Sequence, residues 1–198
     1  GKYTGWAAYA NVGFDITEQL NVELGVRYTE DKKDFGTLVV EPDSYLGPYF
    51  TYGFSTDEYI TDTQKWDDTT FRGLVTYSPT ENSMIFASYT QGFKSGGYGS
   101  FWIEDANGNV PAYETGITQS SGYLPGTFEP ETADSYEIGF KANYLDGRGS
   151  FDVVFFLYEY QDMQVINYVD VDYDNDGVAD AFSGRVLNVG QTDGEGVE

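Results

Sequence analysis

The 198-residue sequence contains no Cys and no His, which removes disulfides, thiol nucleophiles, the commonest zinc ligand and the commonest general base. Its formal net charge of -23, with only 10 Lys and Arg, denies it the clustered cations that phosphate backbones require, so nucleic acid is excluded as a partner. What is abundant is Tyr (18), Phe (14) and Gly (24) beside 6 Pro, an all-β palette, and no run of about 18 apolar residues offers a transmembrane helix.

The first predicted strand, residues 3 to 15, carries Trp6, Ala8, Ala10, Val12 and Phe14 on one parity and Gly5, Ala7, Asn11, Gly13 and Asp15 on the other. After a polar turn at 16 to 19, the second repeats the pattern. Leu20, Val22, Leu24, Val26 and Tyr28 alternate with Asn21, Glu23, Gly25, Arg27 and Thr29, so a hairpin is expected. Residues 30 to 65 show no sustained periodicity and read as a loop. Alternation resumes at 67 to 77, with Phe71, Gly73, Val75 and Tyr77 opposite Thr70, Arg72, Leu74 and Thr76. The turn "SPTEN" at 78 to 82 leads into a strand at 83 to 93, with Ile85, Ala87 and Tyr89 on one face.

A second loop is expected over 95 to 127. Residues 133 to 144 then show the cleanest alternation in the chain, Tyr136, Ile138, Phe140, Ala142 and Tyr144 against Ser135, Glu137, Gly139, Lys141 and Asn143. The turn "LDGR" at 145 to 148 joins it to a returning strand at 149 to 164, and an acidic loop over about 165 to 184 precedes a last, strand-like stretch. Short connections (16 to 19, 78 to 82, 145 to 148) therefore alternate with long ones (30 to 65, 95 to 127, 165 to 184). Sandwiches mix loop lengths at both ends, whereas outer-membrane barrels keep short turns at one rim and long loops at the other. Aromatics near the strand ends (Phe14, Tyr28, Tyr77, Tyr144, Phe151) suit interfacial girdles. The expected fold is all-β: an antiparallel transmembrane β-barrel segment of about seven strands, with apolar side chains toward lipid and Glu23, Arg27, Arg72, Glu137 and Lys141 on a polar face. Seven strands leave two unpaired edges, so further strands are expected from outside this sequence or from other copies of the chain.

Four blocks carry a family resemblance: "LGVRYTEDKKDF" (24 to 35), "FASYTQGFKSGGY" (86 to 98), "FEPETADSYEIGFKANYLDGRGSFDVVFFLYEYQDMQV" (128 to 165) and "NVGQTDGEGVE" (188 to 198). Together they resemble the barrel of a TonB-dependent outer-membrane receptor. The resemblance implies that residues 1 to 198 are part of one β-barrel domain of about 22 strands, whose lumen is filled by an N-terminal plug domain lying outside this sequence. It further implies a bacterial outer-membrane location, lipid and TonB as partners, and energised import of a ferric siderophore or similar scarce nutrient. The polar-face residues Glu23, Arg27, Arg72, Glu137 and Lys141 would then face plug or lumen. Iron would enter only as part of the transported ligand, with no cofactor required. The loop aromatics Tyr49, Tyr52, Tyr98, Trp102 and Tyr113 are candidate contacts to a small-molecule ligand, since aromatics give rigid amphipathic area, or they pack the loops against one another.

"VDYDNDGVAD" (171 to 180) sets Asp172, Asp174 and Asp176 at alternate positions, followed by Gly177 and Asp180. That spacing resembles the start of an aspartate-rich calcium loop, so Ca2+ is a possible ligand, although Ser183 stands where an EF-hand has its bidentate Glu. Two other functional classes fit parts of the pattern: a passive porin-like channel, and a secreted calcium-binding β surface protein. No catalytic residues are expected, because no spacing among the many carboxylates singles out an acid and a nucleophile.

Overall fold

The computed structural model describes residues 1–40, 53–111, 114–172, 176–179 and 181–198. In chain order the strands are β1 (Lys2–Asp15), β2 (Leu20–Thr37), β3 (Phe54–Thr56), β4 (Ile60–Thr80), β5 (Ser83–Lys94), β6 (Gly97–Glu104), β7 (Glu114–Ile117), β8 (Leu124–Phe128), β9 (Glu131–Tyr144), β10 (Gly149–Gln161), β11 (Met163–Val171), β12 (Ala181–Val189) and β13 (Thr192–Val197). Seven of these form one antiparallel sheet in the order β1-β2-β4-β5-β9-β10-β13. Each strand lies beside the next strand of the sheet in chain order, and β1 and β13 are its two open edges.

Register follows from the alternation. Val12, Leu24, Gly73, Tyr89, Tyr136 and Leu157 stand in one transverse row, and Phe14, Val22, Val75, Ala87, Ile138 and Phe155 in a parallel one. On the other face Gly13, Glu23, Leu74, Ser88, Glu137 and Phe156 form a row, beside Asn11, Gly25, Arg72, Thr90, Ser135 and Tyr158. A slip of one residue in any pair would exchange the two sets, so the apolar face itself holds the register. Large apolar side chains on that face are bare: Trp6 54%, Leu24 56%, Phe71 52%, Ile138 54% and Phe155 56% exposed.

Three tight connections close one end of the sheet. In the first, the Thr17 hydroxyl accepts the N–H groups of Gln19 and Leu20 at 3.2 and 3.0 Å. In the third, Leu145, Asp146 and Gly147 all take positive φ (53°, 54° and 81°), reversing the chain within four residues. One glycine on the polar face is required by a neighbouring ring: a Cβ on Gly139 would lie 2.3 Å from Phe86 of the adjacent strand.

At the opposite end the structure differs from the sequence expectation. The loops expected over 30–65, 95–127 and 165–184 hold further strands. β2 and β4 stay paired from Glu30↔Asp67 to Thr37↔Ile60. Apart from Phe35, Ile60 and Trp66 this stretch is polar on both faces, so period-2 alternation falls silent although the backbone ladder continues. Lys32 even stands opposite Lys65, an unfavourable pairing relieved by the diagonal contact of Lys65 with Glu30 (3.3 Å) and by the contact of Lys32 with Asp34 two residues along its own strand (3.5 Å). The returning strand expected at 149 to 164 is broken at Asp162, whose φ of 53° turns the chain into the β11–β12 ribbon.

Candidate functional site

The long connections assemble into a head beyond the polar ends of the strands. It contains the parallel pair β3–β7, the antiparallel pair β6–β8 and the β11–β12 ribbon. Its core is Val39, Phe54, Ile60, Ile103 and Ile117, each at most 7% exposed, with Val110, Tyr123 and Val169 packed against them. None of these comes from the sheet's apolar face. The core collects single residues from segments far apart in the chain, so no window of sequence shows it.

The β6–β8 pair lies against the polar face of β2 and β4. Tyr98 stacks on Phe35 (centroids 5.1 Å apart, planes 12° apart) and meets Trp66 edge-on at 6.0 Å. Its hydroxyl donates to Asp62 at 3.1 Å. Burial, and then that carboxylate, push the Tyr98 hydroxyl far above its usual range, so it is a fixed donor. Lys33 reaches the carbonyl of Gly96 with its ammonium 5.4 Å from the Trp66 ring centre. Trp102 is only 4% exposed and donates to Glu104 at 3.1 Å, with the Arg185 guanidinium 5.2 Å from its ring centre. Its indole fills the space above Gly99 and Gly126, where an added Cβ would lie 1.8 and 1.5 Å from the ring. Trp102 therefore locks loop to loop, while Tyr98 is half-buried at the edge of the same cluster. Tyr49, Tyr52 and Tyr113 lie outside the described residues.

A joint that the sequence reading missed ties the head to the sheet. Gln164 and Asn188 are register partners on β11 and β12. The Gln164 side-chain amide donates to the carbonyls of Ser95 (3.1 Å) and Glu129 (3.0 Å), and its backbone N–H to the Glu131 carboxylate (2.7 Å). The Asn188 amide donates to the carbonyls of Glu129 (2.9 Å) and Asp162 (2.8 Å) and accepts the Glu129 N–H at 2.8 Å. Lys94 lies 3.6 Å from Glu131 at the same place. The blocks "GFKSGG", "EPET", "QDMQV" and "NVG", separated by many residues in sequence, thus converge on one hydrogen-bonded joint. Their recurrence as blocks was the only signal that could have pointed to it.

Glu23, Arg27, Arg72, Glu137 and Lys141 share the polar face of the seven-stranded sheet through one continuous register. Lys141 stands apart from the other cations, 5.8 Å from the Phe86 ring centre. At the ribbon tip, Asp172 accepts the Gly177 N–H and Asp176 the Val178 N–H, both at 2.8 Å. Asp174 and Asp180 lie outside the described residues. Among the described residues no three acidic side chains come close enough to hold a metal ion. Elsewhere in the head Asp105 accepts the N–H groups of Asn107 (2.8 Å) and Asn109 (2.9 Å), and these hold its carboxyl below the usual range.

Known proteins share this architecture. The chain is 28% identical over 123 residues to a hemin receptor of Yersinia pestis, covering 61% of this chain and 18% of that protein. It is 27% identical over 155 residues to a hemin receptor of Yersinia enterocolitica, covering 76% and 21%. It thus spans about a fifth of the length of these curated relatives. Among solved structures, the ferric yersiniabactin uptake receptor FyuA from Yersinia pestis superposes with a TM-score of 0.59 at 18% identity, covering 98% of this chain and 23% of that one. The Serratia marcescens hemophore receptor HasR, solved with its hemophore HasA and heme, gives 0.56 at 14% identity over 98% of this chain and 31% of its own. Both show the fold. The family model for the TonB-dependent receptor-like β-barrel matches residues 1–198. With its apolar outer face, its tight turns at one rim and its loop head at the other, the chain belongs to the TonB-dependent receptor β-barrel family of the bacterial outer membrane.

Proposed function

We propose that the chain is a segment of an energised outer-membrane receptor that imports an iron-bearing organic ligand, a ferric siderophore or heme. The observation that carries this reading is the loop head, packed around its own core over the polar face of a sheet whose other face is bare apolar surface. Such a head offers a preorganised aromatic and acidic mouth above a polar lumen, which suits capture of a large scarce solute better than passive diffusion. The curated relatives named hemin receptors support an iron-related cargo.

In this reading Glu23, Arg27, Arg72, Glu137 and Lys141 line the lumen, a plug domain of the full-length protein fills it, and TonB supplies energy from the inner membrane. Iron is cargo within the ligand rather than a resident cofactor. Tyr98, Tyr49, Tyr52 and Tyr113 are the ligand-contact candidates, with Trp102 shaping the mouth from behind. Calcium at Asp172, Asp174, Asp176 and Asp180 would stiffen the ribbon tip, at extracellular affinities of about 10⁻⁴ to 10⁻³ M.

The test is growth of a strain lacking the full-length receptor, with hemin or a ferric siderophore as the only iron source, before and after complementation. Restored growth that vanishes on deletion of TonB supports the reading. Uptake that persists without TonB would replace it with a passive channel.

A further inference from the structure

We infer that Phe156 and Tyr158 form a flat aromatic platform on the polar face, just below the head, on which the macrocycle of a heme stacks. The inference rests on the receptor reading above, which makes this face the lumen wall, and it narrows the cargo to the flat, conjugated class.

Along β10, Phe156, Tyr158 and Tyr160 stand on the polar face, opposite Glu137, Ser135 and Ala133 of β9. On the other side their partners are Gly196, Gly194 and Thr192 of β13. The first two rings lie face-down on their partner glycines. A Cβ on Gly194 would meet Cζ, Cε2 and the hydroxyl of Tyr158 at 2.2, 2.4 and 2.4 Å, and one on Gly196 would meet three ring atoms of Phe156 at 2.4, 2.9 and 3.0 Å. Such near-equal distances arise when a ring turns its face, not its edge, to the backbone. Only glycine lets a ring settle so close to a strand, which gives the alternate glycines of the block "DGEG" (193 to 196) their place in the fold.

The two rings also share a plane. Their centroids are 6.1 Å apart and their planes differ by 5°, while Tyr160 ends the row edge-on, 5.6 Å from Tyr158. One side of this double tile rests on the sheet and the other is open, with Tyr158 39% exposed and Phe156 half-buried. Phe86 lies over Gly139 in a similar way, but as one ring with the Lys141 ammonium 5.8 Å from its centre. Two coplanar rings offer a broad face that a flat conjugated partner covers by stacking. A porphyrin macrocycle has that shape. A ferric trihydroxamate, whose ligand wraps the metal without an aromatic ring, does not.

Position favours cargo as the occupant. Tyr160 is followed within two residues by the turn at Asp162, and Gln164 then fastens the ribbon of the head. The platform thus begins beneath the attachment of the head and runs down the wall, where a solute released from the mouth enters the lumen. The sequence holds no His, so this stretch offers the iron no imidazole, and the contact is through the faces of the rings.

The experiment is titration of the full-length receptor in detergent with hemin and with metal-free protoporphyrin, followed at the Soret band. Three variants are compared with wild type. Phe156→Leu/Tyr158→Leu keeps apolar bulk and removes the flat faces, Gly194→Ala lifts the Tyr158 ring, and Tyr9→Leu removes a 72% exposed ring from the same face on β1. Retention of the compact, heat-modifiable form on gels confirms that each barrel folds. The expected result is about a tenfold loss of affinity for both porphyrins in the double variant, a smaller loss in Gly194→Ala, and none in Tyr9→Leu. A double variant that binds hemin as tightly as wild type overturns the inference and leaves the receptor reading intact. So does a wild type that restores TonB-dependent growth on a ferric siderophore but binds no hemin. A loss confined to hemin, with protoporphyrin unaffected, would make iron ligation rather than stacking the contact and overturn the platform. A loss accompanied by channel opening in planar bilayers would assign the rings to packing inside the barrel and overturn it as well. Uptake by the wild type that needs no TonB removes the receptor reading, and the platform falls with it as a station for imported cargo.

Discussion

The sheet and the head invert each other. On the outer face of the sheet large apolar side chains are bare, with Leu24, Ile138 and Phe155 more than half exposed. In the core of the head the apolar side chains are the most buried, with Ile60 and Ile103 at 0% and Ile117 at 1%, while the β11–β12 ribbon leaves Ile166 and Phe182 each 76% exposed. The sheet's outer face and the core of the head obey one rule in different surroundings. A side chain facing lipid needs no protein cover, whereas one facing water is driven into a core. The mean hydropathy of the whole chain, -0.44, averages the two and describes neither.

That inversion can be broken from the head side. Ile103→Ala removes a fully buried side chain and should cost the head about 2–5 kcal/mol, because both transfer energy and a cavity are lost. Ile138→Ala in the lipid-facing rows leaves no cavity and should cost far less. Thermal unfolding of the full-length receptor in detergent, followed by proteolysis of the loops, would separate the two; equal losses would refute the comparison.

The converse substitution probes the sheet. Ile138→Arg should destabilise the barrel by about 2–4 kcal/mol if that face sits near the middle of the bilayer. Urea titrations of the refolded protein in lipid vesicles report this directly. A cost near zero would mean that the face meets water instead.

A smaller effect sharpens the contrast in packing. Gly126→Ala must displace the Trp102 ring, which lies 1.5 Å from the new Cβ, and should cost about 1–3 kcal/mol. The Cβ of Gly73→Ala, on the lipid face, meets only the tip of Leu24 at 3.9 Å, and this change should be close to neutral. Quenching of Trp fluorescence checks the prediction, with greater exposure of Trp102 expected only in the first variant.

The smallest effect is electrostatic and confined to a water-exposed turn of the head. Asp105 has its folded pKa lowered, first by the Asn109 N–H, so its contribution to the turn is full above its ordinary value of 3.8 and is lost as pH falls through the lower folded value. Hydrogen exchange of the Asn107 and Asn109 amides should accelerate only below 3.8. Acceleration well above that pH would show that the carboxylate does not hold the turn.

Legibility followed the same divide. The strands around Val22, Val75, Ile138 and Phe155 could be read because lipid on one side and polar contents on the other imprint a period of two. β2 beyond Thr29 could not, since Glu30, Lys32 and Asp34 share with Asp31 and Lys33 a polarity that cancels the alternation. The candidate loop aromatics illustrate a second limit. Composition marks Tyr98 and Trp102 as aromatic but is silent on whether a ring meets ligand or glycine; Gly99 and Gly126 decide that for Trp102 only once the chain has folded. The Gln164–Asn188 joint was hidden for a third reason: amides bonding distant backbone carbonyls leave no periodicity at all.

By itself the sequence determined the strands of the seven-stranded sheet, their apolar and polar faces, the end that carries the tight turns, and the family blocks. Each of these rests on local alternation, turn chemistry or contiguous residues, and local rules are written in local order. Only the tertiary structure decided how far β2 and β4 run beyond the apolar rows, which residues form the core of the head, and how Gln164 and Asn188 fasten it. It also decided that Arg27 and Arg72 stand in neighbouring rows on adjacent strands. Those features depend on cross-strand register and on packing between segments remote in sequence, where the energy of each contact is set by a partner that the local residues do not name.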